Sequence, residues 1–487
     1  MRRKINTNFL SNFHYFSAEI AQNMLNKLTS SDISFFQELL RENAFIDDEN
    51  KDKYSRDETE DISCLPEIVL KPQSPQEIAS ILAYCNENKI PVTPSGARTG
   101  LSGGAIPVHG GVALSLEKFN KIISIDVNNH QVTVEPGVIT QVLQDAVKEK
   151  GLFYPPDPAS KGSCFIGGNV AENSGGPKAV KYGVTSDYVL NLEVVLATGE
   201  IIWTGANVLK NATGYNLTQL IVGSEGTLGI VTKIVLRLIP HPTYDLLMLV
   251  PFFNAESACE AVAEIFKAGI TPSGLEFMER DALVWTRDFL NDDSIIIGDN
   301  HAAHLLIEVD GFDPDVLMTE CTKIMEVLTA FETDEILFAE SEAQKSALWR
   351  LRRSVGEAVK SNSIYKEEDT VVPRYELPSL LHHVKRIGAN YGFTSICYGH
   401  AGDGNLHINI IKGDLSNEAW NNDLPLAIRE LFTEVVKLGG TLSGEHGIGL
   451  VQKSYMDIAF DKKSLSLMKS IKAVFDPNGI LNPGKVI

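Results

Sequence analysis

The sequence predicts an α+β protein with more than one domain. Its 487 residues exceed what a single hydrophobic core usually supports. Residues 66–240 alternate short β-branched stretches with helical stretches and glycine-rich turns, whereas residues 243–439 carry fewer glycines and longer amphipathic helices. This change of character predicts a domain boundary near residue 240, with a cleft between domains where a ligand can bind.

The spacing of apolar residues predicts individual helices and strands along the chain. Apolar spacing predicts a short helix within residues 25–44, and the charged residues 47–61 form a connector into the first domain. Alternating β-branched residues predict the strands of the first domain, at residues 67–71, 112–115, 131–134, 190–197 and 232–238. Amphipathic spacing predicts helices of the second domain at residues 256–267 and 315–328.

The chain then returns to helix and ends in the turn-rich sequence DPNGILNPGKVI. We therefore expect a helical or leader segment at residues 1–60, a first domain at 61–240, a second domain at 241–450 and a C-terminal helical segment at 451–487 that returns to the first domain. The first twenty residues lack an apolar core and a small-residue cleavage site, which favours a leader or disordered segment over a targeting peptide.

Composition excludes several classes of protein. The net charge of −20 repels phosphate backbones, so we expect no nucleic-acid partner. The six cysteines are scattered without a CxxC pair, which suits the cytoplasm and argues against an iron–sulfur cluster in this chain. No apolar run approaches the roughly 18 residues that span a bilayer. We expect a cytoplasmic protein, with peripheral association at the inner face of the membrane left open, or a mitochondrial matrix protein in a eukaryote.

Three glycine-rich segments fall in the first domain. PSGARTGLSGGAIPV, at residues 94–108, would let backbone N–H groups converge on a pyrophosphate, although a tight structural turn explains this segment equally well by itself. It is neither a GxGxxG nor a GxxxxGK[ST] motif. Two more such segments follow at residues 157–183 and 211–232. Together the three predict a large ligand with phosphate, sugar and ring portions.

The second domain contains an unusual group of histidines. CYGHAGDGNLHINII places His400 and His407 on either side of a glycine turn, and SGEHGIG supplies Glu445 and His446. Two imidazoles and a carboxylate leave coordination positions open, which is typical of a catalytic divalent-metal site. The alternative is a set of polar loop residues satisfied by the backbone. The adjacent Glu445 and His446 favour the metal, for which zinc, manganese and iron are all suitable.

The sequence LWRLRRSVGEAV offers three arginines that could bind a substrate carboxylate, namely Arg350, Arg352 and Arg353. A planar guanidinium pairs with a carboxylate through two parallel hydrogen bonds. Arginines at this spacing on a helix also occur on ordinary solvated faces, and this alternative stays open.

The motifs SKGSCFIGGNVAENSGG, KYG and GSEGTLGIVT resemble the PCMH-type FAD-binding domain of the vanillyl-alcohol-oxidase family. The resemblance implies a domain of two subdomains that binds FAD, with the first loop around the pyrophosphate, the second beside the flavin, and the third at the ring and ribityl chain. No histidine occurs in the first loop, so we expect the FAD to be non-covalent. The implied FAD-binding residues are Pro94, Gly96, Arg98, Thr99, Gly100, Leu101, Ser102, Gly103, Gly104, Pro156, Asp157, Ser160, Gly162, Ser163, Gly167, Gly168, Asn169, Asn173, Gly175, Gly176, Tyr182, Gly183, Gly223, Glu225, Gly226, Gly229, Ile230 and Asn482.

The motifs GHAGDGNLH, SGEHGIG and DPNGILNPGK resemble the C-terminal domain of FAD-linked oxidases. This resemblance implies an α+β substrate or cap domain with an antiparallel sheet. It also implies zinc or manganese ligands at His400, His407 and Glu445, and a base at His446. Arg352 matches the arginine that binds the substrate carboxylate, and Lys366 is a further candidate catalytic residue.

Members of this family oxidise D-2-hydroxy acids, so the resemblance implies an FAD-dependent dehydrogenase. Gly356 stands where the D-2-hydroxyglutarate enzymes have threonine, and Lys366 is displaced by one position. We therefore favour D-lactate or glycolate as substrate and keep D-2-hydroxyglutarate as the alternative. The electron acceptor could be a quinone, a cytochrome, an electron-transfer flavoprotein, an iron–sulfur subunit or oxygen. Two competing functions are a different oxidase or ether-lipid synthase on the same fold, and a non-catalytic flavoprotein subunit of a larger complex.

Overall fold

The computed structural model describes residues 25–292 and 297–487, so the expected leader at residues 1–24 lies outside the described residues. Helices mix with largely antiparallel sheets, which confirms the predicted α+β class. The helix expected within residues 25–44 covers Ser30–Leu40. The strands and helices predicted above are present within about three residues of their expected bounds.

The first domain is built from two larger sheets and one two-stranded sheet. Its strands are β1 (Ala44–Phe45), β2 (Ile68–Leu70), β3 (Val92–Ser95), β4 (Val112–Ser115), β5 (Ile122–Asp126), β6 (Gln131–Val134), β7 (Leu152–Phe153), β8 (Val189–Val195), β9 (Ile201–Trp203), β10 (Ile230–Arg237) and β11 (Ile239–Pro240). Its helices are α1 (Ser30–Leu40), α2 (Asp48–Lys53), α3 (Pro75–Asn88), α4 (Thr140–Lys148), α5 (Ile166–Glu172), α6 (Ala179–Tyr182) and α7 (Leu217–Ile221). One sheet has the order β1-β2-β4-β3, in which β2, β4 and β3 are parallel, and the other is antiparallel with the order β5-β6-β10-β8-β9.

Each sheet of the first domain has its own core. Ile78 and Ile81 on α3 pack against the first sheet, and α3 begins where Ser74 accepts the N–H of Glu77 ahead of Pro75. Leu481 near the end of the chain packs into this same core and forms a parallel bridge to Val92.

The second domain contains β12 (Tyr244–Phe252), α8 (Ala255–Lys267), β13 (Gly274–Glu279), α9 (Arg280–Leu290), β14 (Ala303–Gly311), α10 (Pro314–Leu328), β15 (Leu337–Phe338), α11 (Glu342–Arg353), α12 (Val355–Asn362), β16 (Tyr365–Val371), α13 (Leu377–Tyr391), β17 (Thr394–Gly399), β18 (Asn405–Ile411) and α14 (Leu424–Lys437), followed by α15 (Met456–Ala459) and α16 (Lys462–Phe475). Its sheet has the order β15-β12-β14-β13-β17-β18-β16, with every neighbouring pair antiparallel. Helices α8, α10, α13 and α14 cover one face, and α9, α11 and α12 pack on the other.

Strand register fixes three side chains at the edge that faces the first domain. His407 on β18 is paired with Tyr398 on β17 and with Asp369 on β16. Directly opposed residues on antiparallel strands project to the same face, so these three side chains lie side by side.

No helix in the described part of the chain is both long and apolar enough to cross a bilayer.

Candidate active site

The glycine-rich loops and the histidine cluster meet at one cavity of about 480 Å³ between the two domains. Most of the residues expected to bind FAD line it, together with the histidine cluster and Arg352. The lining residues from the expected FAD set are Pro94, Gly96, Arg98, Thr99, Gly100, Leu101, Gly104, Ser160, Ser163, Gly167, Gly168, Asn169, Glu225, Gly226, Gly229, Ile230 and Asn482.

The other members of the expected FAD set do not line the cavity. They are Ser102, Gly103, Pro156, Asp157, Gly162, Asn173, Gly175, Gly176, Tyr182, Gly183 and Gly223. Two of them make contacts that support the loops: Asn173 accepts the backbone N–H of Ser186 at 2.8 Å, and Asp157 accepts the guanidinium of Arg353 at 2.9 Å. Tyr182 instead donates to Asp310 of the second domain.

The loop surfaces fit a dinucleotide. In the described residues, the N–H groups of Ala97, Arg98 and Thr99 donate to no protein acceptor, which leaves them for a phosphate. A Cβ built on Gly168 would meet no atom within 4 Å, so its backbone faces the open cavity. Gly226 has a φ of +68°, and a Cβ there would lie 2.5 Å from Pro94 Cγ, so glycine allows the third loop to pack on the first.

Glu172 is a cavity residue that the sequence analysis did not single out. Its Oε2 atom is buried without a hydrogen-bond partner in the described residues. Burial raises the pKa of Glu172 well above its ordinary value, and the nearby carboxylates of Glu225 and Asp57 add to this effect. The neutral acid is therefore favoured, and it can donate a hydrogen bond to a phosphate or to a flavin ring edge.

His400, His407 and Glu445 converge on one point at the far side of the cavity. Glu445 Oε1 lies 3.2 Å from His400 Nε2 and 3.5 Å from His407 Nε2. The ligand atoms of the three residues all lie within 4.8 Å of one another. In a tetrahedral site with bonds of 2.0–2.1 Å, ligand atoms are separated by about 3.4 Å, so the donor set fits a divalent cation such as zinc.

Carboxylates lie behind both histidines. Glu276 on β13 is 2.9 Å from His400 Nδ1, and Glu367 on β16 is 3.2 Å from His407 Nδ1. A carboxylate at Nδ1 keeps the proton on that nitrogen and directs the Nε2 lone pair toward a metal. Burial opposes ionisation of Glu445, but the three neighbouring histidines lower its pKa to about 2. The cluster thus holds an ionised carboxylate between two imidazoles.

Asp369 fixes the loop that carries Glu445 and His446. Its Oδ2 atom accepts the backbone N–H groups of Gly444, Glu445 and His446 at 2.8, 2.8 and 3.0 Å, as well as the Ser443 hydroxyl at 2.9 Å. The imidazole of His446 stacks on that of His407, with ring centroids 5.1 Å apart. The His446 ring lies on the cavity wall beside His400, His407 and Glu445.

The structure separates the three arginines of α11. Arg352 is buried, with Nη2 2.7 Å from Glu276 Oε2 and its guanidinium over the ring of Tyr398. Arg353 reaches across to Asp157 of the first domain, and Arg350 is exposed. Arg350 therefore lies on a solvated face of the helix, whereas Arg352 does not. The Nε atom of Arg352 is buried and unpaired in the described residues, so it is available to an anion in the cavity.

Lys366 is the one predicted catalytic residue that the structure does not bring to the cavity. Side chains alternate along a strand, and on β16 it is Glu367 that faces His407. Lys366 is directed to the other face of the strand, on the side of Glu368. The contributions of Glu367 and Asp369 were missed because a charged run such as KEED usually indicates a solvated segment. Glu276 was missed because it meets His400 from a strand 124 residues away in the sequence.

A two-domain α+β chain with such loops above a polar cluster has the architecture of flavin-dependent oxidoreductases. The fold matches that of the solved structure of p-cresol methylhydroxylase with substrate bound, with a TM-score of 0.76 over 95% of this chain and 98% of that one, at 19% identity. The expected PCMH-type fold is thereby confirmed.

Sequence comparison identifies the family. Residues 66–205 match the FAD binding domain family, and residues 241–486 match the family of the C-terminal domain of FAD linked oxidases. The chain is 38% identical to a D-lactate dehydrogenase of Anaerostipes hadrus, over 95% of this chain and 98% of that protein. It is 41% identical to the glycolate oxidase subunit GlcD of Bacillus subtilis, over 91% and 93%, and 34% identical to a D-2-hydroxyglutarate dehydrogenase of Xanthomonas citri, over 89% and 92%. The chain belongs to the FAD-linked oxidase family and is an FAD-dependent oxidoreductase.

Proposed function

We propose that this protein is an FAD-dependent dehydrogenase that oxidises a small D-2-hydroxy acid to the 2-oxo acid. The observation that carries the proposal is the convergence of His400, His407 and Glu445 beside His446, in the same cavity as the glycine-rich loops. Neither a turn-rich FAD domain alone nor a non-catalytic subunit requires this cluster. The names of the similar proteins support the same class of substrate.

Each part of the site has a separate task. The glycine-rich loops would hold FAD, which would supply an acceptor for the hydride of the substrate carbon. A divalent cation bound to His400, His407 and Glu445 would lower the pKa of the substrate hydroxyl. His446 accepts the hydroxyl proton, and Arg352 binds the substrate carboxylate through its planar guanidinium. Tyr398 and Glu276 orient that guanidinium.

The charge of the cavity wall supports a monocarboxylate over a dicarboxylate. Glu357 and Glu367 line the cavity near Arg352, and Lys360 is already paired with Glu58. A second substrate carboxylate would meet these acids, and Arg353 beside Arg352 is paired with Asp157. A Cβ on Gly356 would lie 3.3 Å from the hydroxyl of Tyr398, so glycine leaves no side chain at this point to contact a longer substrate. We therefore favour D-lactate or glycolate over D-2-hydroxyglutarate.

An anaerobic titration tests the proposal. Purified FAD-loaded, zinc- or manganese-loaded protein is mixed with D-lactate, glycolate, D-2-hydroxyglutarate and L-lactate, and bleaching of the flavin absorbance is followed. We expect bleaching by D-lactate or glycolate, and slower bleaching by D-2-hydroxyglutarate. Bleaching by D-2-hydroxyglutarate alone would reverse the substrate assignment, and no bleaching by any 2-hydroxy acid would refute the proposed function.

A further inference from the structure

A second, much smaller cavity lies directly behind His446. Its volume is about 20 Å³, and its walls include Glu60, Ser102, Asp369, His446 and Gln452. A cavity of roughly 10–15 Å³ is enough to contain one water molecule. His446 lines both this cavity and the large one, so its imidazole separates the substrate side from this rear compartment.

The walls of the rear cavity are polar, and two of their oxygen atoms lack a hydrogen-bond partner in the described part of the chain. Ser102 Oγ and Gln452 Oε1 are buried and have no hydrogen-bond partner within the described residues. An enclosed water usually makes two to four hydrogen bonds. Ser102, Gln452 and His446 together offer that number, so the cavity has both the volume and the chemistry to retain one water.

Glu60 lines this cavity near the protein surface. Its side chain is half-buried, and the next residue, Asp61, is exposed. The phenol of Tyr365 lies near the Glu60 carboxylate and favours its ionised form. The charged groups that face Glu60 are Lys366, Glu367 and Glu368 of β16 and Lys360 of α12.

The Glu60 carboxyl can exchange a proton near neutral pH. Burial raises the pKa of Glu60 to about 7, and Glu367 adds to this while Tyr365 and Lys366 oppose it. A carboxyl group on the cavity wall with such a pKa can take up a proton from an enclosed water and release it again.

We propose that Glu60 and the rear cavity form the path by which the proton accepted by His446 leaves the active site. The proposal rests on the proposed function, because that reaction puts the proton on His446. The proton leaves an imidazolium nitrogen, crosses the enclosed water and binds to a carboxylate oxygen of Glu60, which then releases it to bulk water. No other bond is made or broken, and His446 returns to its basic form. Cofactor and substrate would fill the large cavity, which leaves the rear cavity as the outlet.

The test compares proton release with flavin reduction in a single turnover. FAD- and metal-loaded protein is mixed anaerobically with D-lactate, or with glycolate if D-lactate gives no bleaching, in weakly buffered solution containing a pH-indicator dye. In the unmodified protein, the proton should reach bulk water at the rate of flavin bleaching. In Glu60→Gln, the ratio of proton release rate to bleaching rate should fall by about 100-fold, the lower end of the range for a positioned proton-transfer group.

Two further variants and an added base complete the design. Asp61→Asn removes the adjacent exposed carboxylate and should keep the wild-type ratio. Glu60→Asp retains a carboxyl group and should lie closer to the wild type than Glu60→Gln. Imidazole added to Glu60→Gln should restore the ratio as its concentration rises.

The possible failures are distinguishable. If unmodified protein bleaches with a 2-hydroxy acid and Glu60→Gln releases its proton at the same relative rate, the exit path is refuted and the proposed function stands. If no 2-hydroxy acid bleaches the unmodified protein, the proposed function fails and the exit path fails with it.

Discussion

The backbone N–H of His446 donates to Asp369 Oδ2 at 3.0 Å, and the same oxygen lies 3.9 Å from His446 Nδ1. One buried carboxylate thus sets the position of both the backbone and the ring of the proposed base. It also accepts the N–H of Glu445, a proposed metal ligand. The loop is therefore ordered by a residue of β16 that is distant in sequence.

Asp369→Asn should disturb this loop. The asparagine side chain has an NH₂ group in place of one carboxylate oxygen, and that group would face the backbone N–H donors of the loop or leave only one acceptor for them. We expect metal affinity and turnover to fall by roughly 10- to 100-fold, the usual effect of removing an outer partner of a metal site. Metal content and the spectrum of cobalt-substituted protein measure the first effect. FAD content should stay at the wild-type level. Wild-type metal affinity in a folded variant would contradict this role.

His446→Ala should retain FAD and metal while turnover falls by roughly 10² to 10⁴, the range for loss of a general base. Stopped-flow bleaching under anaerobic conditions measures the step directly. His382→Ala, in the helix α13 far from the cavity, is the matched control. Bleaching of His446→Ala at the wild-type rate would exclude the assignment.

Removal of the divalent cation should abolish turnover while the flavin spectrum persists, because His400, His407 and Glu445 belong to the second domain and not to the glycine-rich loops. Glu276→Gln should weaken metal binding by roughly 10- to 100-fold through loss of the carboxylate at His400 Nδ1. Glu279→Gln, on the same strand, pairs with Lys385 and should leave metal binding unchanged. Chelator-treated, metal-free protein with full activity would eliminate the metal from the mechanism.

Arg352→Lys should raise KM by roughly 10- to 100-fold, since a point charge cannot replace two parallel guanidinium hydrogen bonds to the substrate carboxylate. Arg350→Lys changes an exposed neighbour on the same helix and should have no effect. Steady-state kinetics with an artificial dye acceptor provide the measurement. Equal KM values in the two variants would argue against Arg352 as the carboxylate-binding residue.

The contact between the domains should be sensitive to acid. Lys178 and Lys181 of the first domain pair with Asp310 of the second, at 3.4 and 2.7 Å. Burial alone would raise the pKa of Asp310, but Lys178 and Lys181 lower it overall. Because the folded pKa lies below the unfolded value, this contribution to stability is complete above the unfolded pKa and is lost as pH falls through the folded one.

Lys178→Met should cost about 3–5 kcal/mol of unfolding free energy at pH 7 by leaving buried carboxylates unpaired, as measured by urea unfolding. An unchanged unfolding midpoint would contradict this.

Local patterns in the sequence predicted most of the fold. Strands such as 112–115 and helices such as 315–328 are specified by short-range periodicity, which needs no knowledge of partners. The glycine loops and the pair His400 and His407 were equally visible, because a turn and the residues that flank it are close in sequence. These features depend on backbone freedom and spacing, which a sequence states directly.

The tertiary structure alone decided which side chains meet these groups. Glu276 reaches His400 from a strand more than a hundred residues earlier, and Asp369 reaches the loop of His446 from across the sheet. Whether Lys366 or Glu367 faces the cavity depended on the register of β16 against β18, since a shift of one residue exchanges the two faces of a strand. The sequence by itself determined the backbone of the loops and the chemistry of the nearby groups, and chain packing determined their partners, because charge and hydrogen bonding act through space and not along the chain.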